Sequence, residues 1–477
     1  MAGDIKYLEA ISASIQKIAN EDKVVDWDDF VREERDLIIS SYNGDNLNSF
    51  KGDWKRRFKN TLSHLNLSME ITSGERNAWK NLITDKIKVS RKPSTIQSST
   101  SSTTNSSKHN NLISEEQRIN VLKLYDDLNN ENKWKLACSG RYVEDIMKEV
   151  VKTAKYEHPS ASFIFDLADP IWLSKFTKDE FKEIKYFNNK KPEKINKELE
   201  EYIDSFDKEE LKTARDYYNE ASKKKFEFGG SYDQRWIQRS ITDAAELFEF
   251  NDIINLVDFS EGDLLHHVWL FVYNCFRSGG IEAKLGERGS VASALGRNEK
   301  RGLEAVERRE RKASGAKVDI LFKVGGIHEV GCSEVGKDNV LAIDDKYLDD
   351  GMIKLPKTLR HMLKELVQVN PCKINELYTV GFLMMGLEME LVIMDIPAGN
   401  TITRISRSKR YPFPSKASNI GKDLPPLLEA TLLGKQLMES LTKLIDTRKR
   451  KAFVLFDEDD DGSTTTIPNC FENNLSK

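Results

Sequence analysis

The feature that most constrains this 477-residue chain is Gly325-Gly326, set between two β-rich runs, Lys317 to Val324 and Ile327 to Val335. A type I′ turn needs positive φ at both central positions, which glycine adopts at little steric cost, so a Gly-Gly loop predicts a tight hairpin. Side chains alternate along a strand, and directly opposed residues share a face. With the two glycines as the turn, Val324 faces Ile327 and Asp319 faces Cys332. Asp319, Leu321 and Lys323 then share a face with His328, Val330, Cys332 and Glu334. Glu329 falls on the other face, with Ile320 and Phe322. This register makes Asp319 and Glu334 diagonal neighbours, about 7–8 Å apart. One bulge would exchange Glu329 for Glu334.

Two carboxylates that converge across a hairpin can share a divalent cation. Mg²⁺ takes oxygen ligands, often one or two carboxylates, and keeps several waters. Such an ion lowers the pKa of a bound water and offsets charge on a phosphate under attack. The neighbouring residues offer less. His328 reads as a solvated strand-end histidine, and Cys332 as a small core residue with no positioned histidine to activate it. The segment Gly286-Glu287-Arg288-Gly289-Ser290 lacks the GxxxxGK[ST] spacing of a nucleotide-phosphate loop.

The surrounding pattern is α/β: a mixed sheet flanked by helices, with additional mainly helical regions. From about residue 255, helices alternate with β-rich runs. Ser260 caps a helix that includes Leu264, Leu265, Trp269, Val272 and Phe276, and Gly279-Gly280 ends it. Ile281 to Leu285 is a short strand. Pro356 opens a helix with Leu355, Leu359, Met362, Leu363 and Leu366 on one face. Strands follow at Leu377 to Leu383, Glu388 to Met394 and Thr401 to Ile405, then a helix from Leu427 to Ile445.

Ahead of this body, residues 1–90 read as a small helical module with Trp27, Trp54 and Trp79, and 91–113 as a Ser/Thr/Asn-rich flexible linker. Residues 114–254 read as a mainly helical region packed on the 255–455 domain. Within it Trp134, Val143, Ile146 and Val150 are core positions, and Phe163 to Asp166 is a short extended segment. Residues 456–477, led by Asp457 to Asp461, read as an acidic disordered tail.

The formal net charge of −4 does not advertise nucleic-acid binding, but Arg297, Lys300, Arg301, Arg308, Arg309, Arg311 and Lys312 crowd one segment. That segment is either a phosphate-contacting element beside Asp319 or a solvated helix interleaved with Glu304, Glu307 and Glu310. Arg448 to Lys451 is either a nuclear-import signal or a chance basic run. Five scattered cysteines without CxxC spacing argue against a disulfide framework or structural zinc. No apolar run reaches the ~20 residues of a membrane span, and no leader is evident, so nucleus or cytoplasm is expected and a membrane partner is not.

Val318-Asp319-Ile320-Leu321, followed by His328-Glu329-Val330-Gly331-Cys332-Ser333-Glu334-Val335-Gly336-Lys337, resembles the PD-(D/E)XK nuclease superfamily. More narrowly, the chain resembles a group of proteins abundant in early-diverging filamentous fungi. Gly286 to Ser290 with Arg297-Asn298, Lys354-Leu355-Pro356-Lys357, Asp395 to Gly399, and Ser139 to Glu144 carry that likeness. It covers residues 115–455 and leaves out the N-terminal module. The resemblance implies a restriction-endonuclease-like core and a Mg²⁺-dependent nuclease, or a protein derived from one, acting on DNA, with RNA as the alternative substrate. Asp319 and Glu334 would be its metal ligands. The superfamily carries a lysine two residues after the glutamate, where this chain has Gly336. Either Gly336 kinks the strand and re-aims Lys337 as the catalytic lysine, or Lys357 reaches in from the next helix. Glu287 is a further candidate ligand, and Arg297, Lys300, Arg301 and Lys357 are candidate nucleic-acid contacts. Gly336 in the lysine position also fits an inactive nuclease fold that serves as a binding module.

Overall fold

The computed structural model of the chain describes residues 11–12, 14–19, 24–40, 47–65, 67–70, 112–190, 192–227, 229–250, 259–299, 301–302, 311–337, 347–445 and 467–472. Trp79, residues 91–111 of the expected linker, Lys300, the Arg448–Lys451 run and Asp457–Asp461 lie outside the described residues. The chain divides into two compact units, residues 1–106 and 107–477.

In the first unit, β1 (Val24–Asp26) pairs in parallel with β2 (Ser68–Glu70), a pairing the helical sequence pattern did not announce. Between them run α1 (Trp27–Glu33), α2 (Arg35–Ser40) and α3 (Leu47–His64). Trp27, Phe30, Trp54 and Phe58 are buried together, with ring centroids 4.6 Å apart for Phe30–Phe58 and 5.3 Å for Trp27–Phe58. The Lys55–Arg57 basic patch partly lies over this cluster, Lys55 above Trp27 and Arg57 above Trp54.

The second unit is built on an eight-stranded mixed sheet. Its strands are β3 (Ile164–Asp166), β4 (Ile281–Gly289), β5 (Lys317–Val324), β6 (His328–Gly336), β7 (Tyr378–Met385), β8 (Glu388–Asp395), β9 (Thr403–Arg407) and the short β10 (Tyr411–Pro412). The order is β3-β9-β8-β7-β6-β5-β4, with β10 on β8. β4, β5 and β6 form an antiparallel meander, β7 runs parallel to β6, and β3 runs parallel to β9.

The helices of this unit are α4 (Glu115–Asp126), α5 (Val143–Thr153), α6 (Lys178–Tyr186), α7 (Lys197–Asp204), α8 (Ala214–Lys223), α9 (Tyr232–Leu247), α10 (Leu270–Cys275), α11 (Val291–Asn298), α12 (Leu355–Val369) and α13 (Ile420–Thr442). One sheet face is packed by α10 and α13. The Phe322 and Phe276 ring centroids lie 4.4 Å apart in a tilted pair, and a Cβ on Gly434 would meet the Phe382 ring at 2.4 Å. The opposite face carries α12, whose Leu355 and Leu359 crowd Gly381. Leu355, Leu359, Met362, Leu363 and Leu366 are all buried, as the 3.6-residue pattern expects. Each such side chain contributes about 1.5–3 kcal/mol on burial.

Two expectations change. The 114–254 region does pack its own core around Trp134, Val143, Ile146, Val150 and Trp172, but it also supplies β3, the sheet's edge strand. Residues 467–472, expected within a disordered tail, are packed into the body, with Ile467, Cys470 and Phe471 buried. The acidic run before them sets the local composition, while these few apolar positions make the contacts. Strand and helix ends also shift by a few residues. The largest shift is in α13, which starts at Ile420 and holds Pro425 and Pro426 inside it.

Candidate functional site: the two ends of a bulged hairpin

The hairpin forms, with Gly325 at φ 58° and Gly326 at φ 71°. Its loop holds three residues instead of two, because Val324 pairs with His328. Lys323 then pairs with Glu329 but Phe322 with Gly331, so Val330 is an extra residue in β6. Beyond that bulge Leu321 pairs with Cys332 and Ile320 with Ser333. The register has slid by two residues against the expectation that Asp319 faces Cys332. Continued by one step, it sets Asp319 opposite Glu334.

A slip of two keeps parity, so Asp319 and Glu334 stay on one face and move from diagonal to opposed. Near the turn the slip is only one, which brings Glu329 to the Lys323 side as well and puts His328 opposite Val324. The expected face of His328 and that of Glu329 are therefore both reversed. The bulge does not exchange one glutamate for the other; it admits both, at opposite ends of β6.

At the turn end Glu329 is 5% exposed and fully engaged. It accepts hydrogen bonds from Ser290 Oγ (2.6 Å), Val291 N (2.9 Å) and Ala292 N (3.2 Å), with Lys323 Nζ at 3.6 Å. Val291 N and Ala292 N are orphan donors of the first turn of α11 and Ser290 is its N-cap, so Glu329 holds that helix onto the sheet.

At the far end Glu334 is 2% exposed. Its Oε2 accepts a 2.6 Å hydrogen bond from Lys354 Nζ, whereas its Oε1 is buried without a hydrogen-bond partner. Burial pushes the Glu334 carboxyl up to about 8, with Lys354 pulling the other way and Asp350 and Asp319 adding to the rise. Asp319 is half-buried, its Oδ2 accepts from Val335 N at 2.7 Å, and burial raises its pKa as well. Lys354 Nζ lies 4.0 Å from Asp350 Oδ1. Burial alone would lower the Lys354 pKa, but the carboxylates of Glu334, Asp350 and Asp319 outweigh it and the net shift is upward.

Neither expected lysine is at these carboxylates. Lys337 is exposed, just past the end of β6. Lys357 has a side chain only 13% exposed and pairs with Glu157 (3.0 Å) and Glu472 (3.6 Å), so its ammonium is held by those two carboxylates instead of by Asp319 or Glu334. Lys354 stands in their place. It ends the π-helical stretch Tyr347–Lys354, directly ahead of α12. A crossover helix between parallel strands runs antiparallel to them, so its first turn sits over the strand end that feeds it. Pro356 marks that start in the sequence, and the residue two before it was the signal available.

Glu287 is exposed and pairs with Lys317 at 2.7 Å. Arg297 donates to Ser314 O (3.0 Å) and approaches Glu472 Oε2 at 3.3 Å, so it ties two loops to α11. Arg301 is exposed. Cys332 is fully buried, and burial pushes its thiol well up, as a core residue requires.

Among the described residues no group of three or more His, Cys, Asp or Glu side chains is arranged to hold a metal ion. Asp319 and Glu334 do fit the open kind of site that Mg²⁺ uses, in which one or two carboxylates leave positions for water and phosphate. The orphaned Glu334 Oε1 is the observation that favours this, since a buried carboxylate oxygen without a donor is costly unless a proton or cation meets it. All five cysteines are free, and no described helix is long and apolar enough to cross a membrane. No family model, curated protein or solved structure matches this chain.

Proposed function

We propose that this protein is a metal-dependent phosphodiesterase of restriction-endonuclease-like architecture, acting on DNA or RNA. The observation that carries the reading is the far end of the hairpin: Asp319 set opposite a half-satisfied Glu334, with Lys354 Nζ 2.6 Å from the glutamate. The chain order supports it too, since a three-stranded meander, a crossover helix and a parallel strand deliver two carboxylates and a lysine to one place.

In this reading Asp319 and Glu334 hold Mg²⁺, which supplies charge neutralisation and an acidified water when bound. Lys354 orients the attacking water and eases ionisation of Glu334, offsetting part of the cost of burial. Asp350, within 4.0 Å of Lys354, fixes the lysine's position. Purified protein is expected to cleave DNA or RNA only with Mg²⁺ or Mn²⁺. Asp319→Asn and Glu334→Gln should each abolish cleavage while leaving the circular-dichroism spectrum unchanged. Wild-type protein that leaves single- and double-stranded DNA and RNA intact at every divalent-ion concentration sinks the enzymatic reading.

A second reading, an inactive nuclease-like fold that binds nucleic acid, is favoured by one observation. Glu334 Oε2 is already committed to Lys354, and Glu334 is 2% exposed. It predicts salt-sensitive nucleic-acid binding that needs no divalent ion.

A further inference from the structure

Residues 467–472 lie along α12 and α11, and their charged end is held in an unusual way. Three basic groups converge on the carboxylate of Glu472: Arg297 Nε at 3.3 Å, Lys357 Nζ at 3.6 Å and His361 Nε2 at 3.8 Å. Burial lowers the pKa of the imidazole, but Cys470 and Glu472 push it up to about 9. Arg360, fully buried behind them, donates to Pro468 O at 3.1 Å and has only carbonyl and hydroxyl partners. Against these four basic groups stand Glu472, Glu157, which pairs with Lys357, and the Cys470 thiol, which burial pushes up but His361, Arg360 and Lys357 pull below its usual value. On the next turn Lys364 is matched by Glu299, and Glu365 offsets part of the remaining charge. Glu472 is thus the carboxylate that Arg297, Lys357 and His361 face together.

The fit is also loose. Both Glu472 Oε1 and His361 Nε2 are buried without a hydrogen-bond partner, although they face each other. Separations of 3.6 and 3.8 Å are ion-pair distances, too long for hydrogen bonds. A carboxylate carries two oxygens and one charge. A tetrahedral phosphate carries more oxygens and up to two charges, and could reach all three cations at hydrogen-bond length. Gly296 makes the space for the imidazole, because a Cβ there would lie 2.2 Å from His361 Nδ1.

We propose that Arg297, Lys357 and His361 form an oxyanion site for a phosphate group, and that Glu472 fills it as an internal substitute. The phosphate site stands on this geometry alone. Naming the phosphodiester backbone as its source rests on the function proposed above, with α12 linking the two places: Lys354 and Lys357 are one helical turn apart. In this arrangement the 467–472 segment competes with nucleic acid for one contact beside the candidate active site, and its departure exposes that contact.

The test is titration of inorganic phosphate into the full chain without divalent ions, for wild type, Glu472→Gln and Glu472→Gln/Lys357→Met. Glu472→Gln should bind phosphate roughly tenfold more tightly than wild type, a shift of one decade in Kd, and the double variant should lose that gain. A second measurement needs no substitution at the site. In a Cys138→Ser/Cys372→Ser background, which removes the two exposed thiols, phosphate should speed labelling of Cys470, a buried residue of the segment. Equal phosphate affinity in wild type and Glu472→Gln, with Cys470 labelling indifferent to phosphate, overturns the proposal. An oligonucleotide that displaces phosphate from Glu472→Gln identifies the backbone as the source. Phosphate binding that no oligonucleotide displaces keeps the oxyanion site and assigns it to a free anion. Neither readout depends on cleavage, so failure here and failure of the nuclease reading are separable.

Discussion

The two ends of β6 hold two buried glutamates on one face of one hairpin, and they are used in opposite ways. Glu329 meets Ser290 Oγ, two backbone N–H groups and Lys323, so its charge is answered from several sides. Glu334 meets one lysine and leaves an oxygen empty. Burial depth does not separate them, at 5% and 2% exposure. What separates them is whether the hydrogen-bonding capacity is spent. A spent carboxylate fixes structure, whereas an unspent one stores an unfavourable state that a proton or a cation can relieve.

That contrast is broken first by Glu329→Ala. Removing the acceptor for three donors should cost about 3–4 kcal/mol in urea unfolding and detach the first turn of α11. Loss below about 1 kcal/mol would mean Glu329 is not structural. Next comes pH. A carboxyl whose folded pKa is raised gives stability that is complete below its unfolded value and is lost as pH rises toward the folded one. For Glu334 the window runs from about 4.5 to about 8, and stability should fall by about 2–4 kcal/mol across it. Glu334→Gln should flatten that slope; an unchanged slope assigns the effect elsewhere. Lys354→Met sharpens the comparison further by removing the one cation on Glu334. The carboxyl pKa, followed by carbon NMR, should rise by about one unit or more, and Mg²⁺ should pull it back down. The smallest effect belongs to Lys337→Ala, within about 0.5 kcal/mol and without change in any divalent-ion-dependent activity.

Much of this geometry is legible in the residues. Gly325-Gly326 marks the hairpin, alternation assigns Asp319 and Glu334 to one face, and the spacing from Leu355 to Leu366 gives the buried stripe of α12. The bulge is not announced by hydrophobicity, because Val330 looks like any strand valine. Gly331 beside it was the available sign: a Cβ there would lie 2.1 Å from Val380 O, and a lone glycine within a strand marks a bulge or close backbone approach. Lys354 is harder to find, since its role depends on how the chain passes from β6 into α12, which no local pattern encodes. The burial of 467–472 is harder still, because its partners lie from 105 to 309 positions earlier and an acidic run precedes it.

The short strand β3 has a consequence for how this chain comes off the ribosome. Thr403 Oγ1 bonds to Phe163 O across 240 positions, and Arg407 pairs with Asp166 at 2.7 Å. The sheet's outer edge therefore cannot close until nearly the whole body has been synthesised, and the early helices must wait for their partner strand. A fragment begun at residue 255 would leave β9 with an open side and Arg407 without that aspartate. Such a piece should aggregate during expression, so the α/β body is best produced together with the helical region that precedes it.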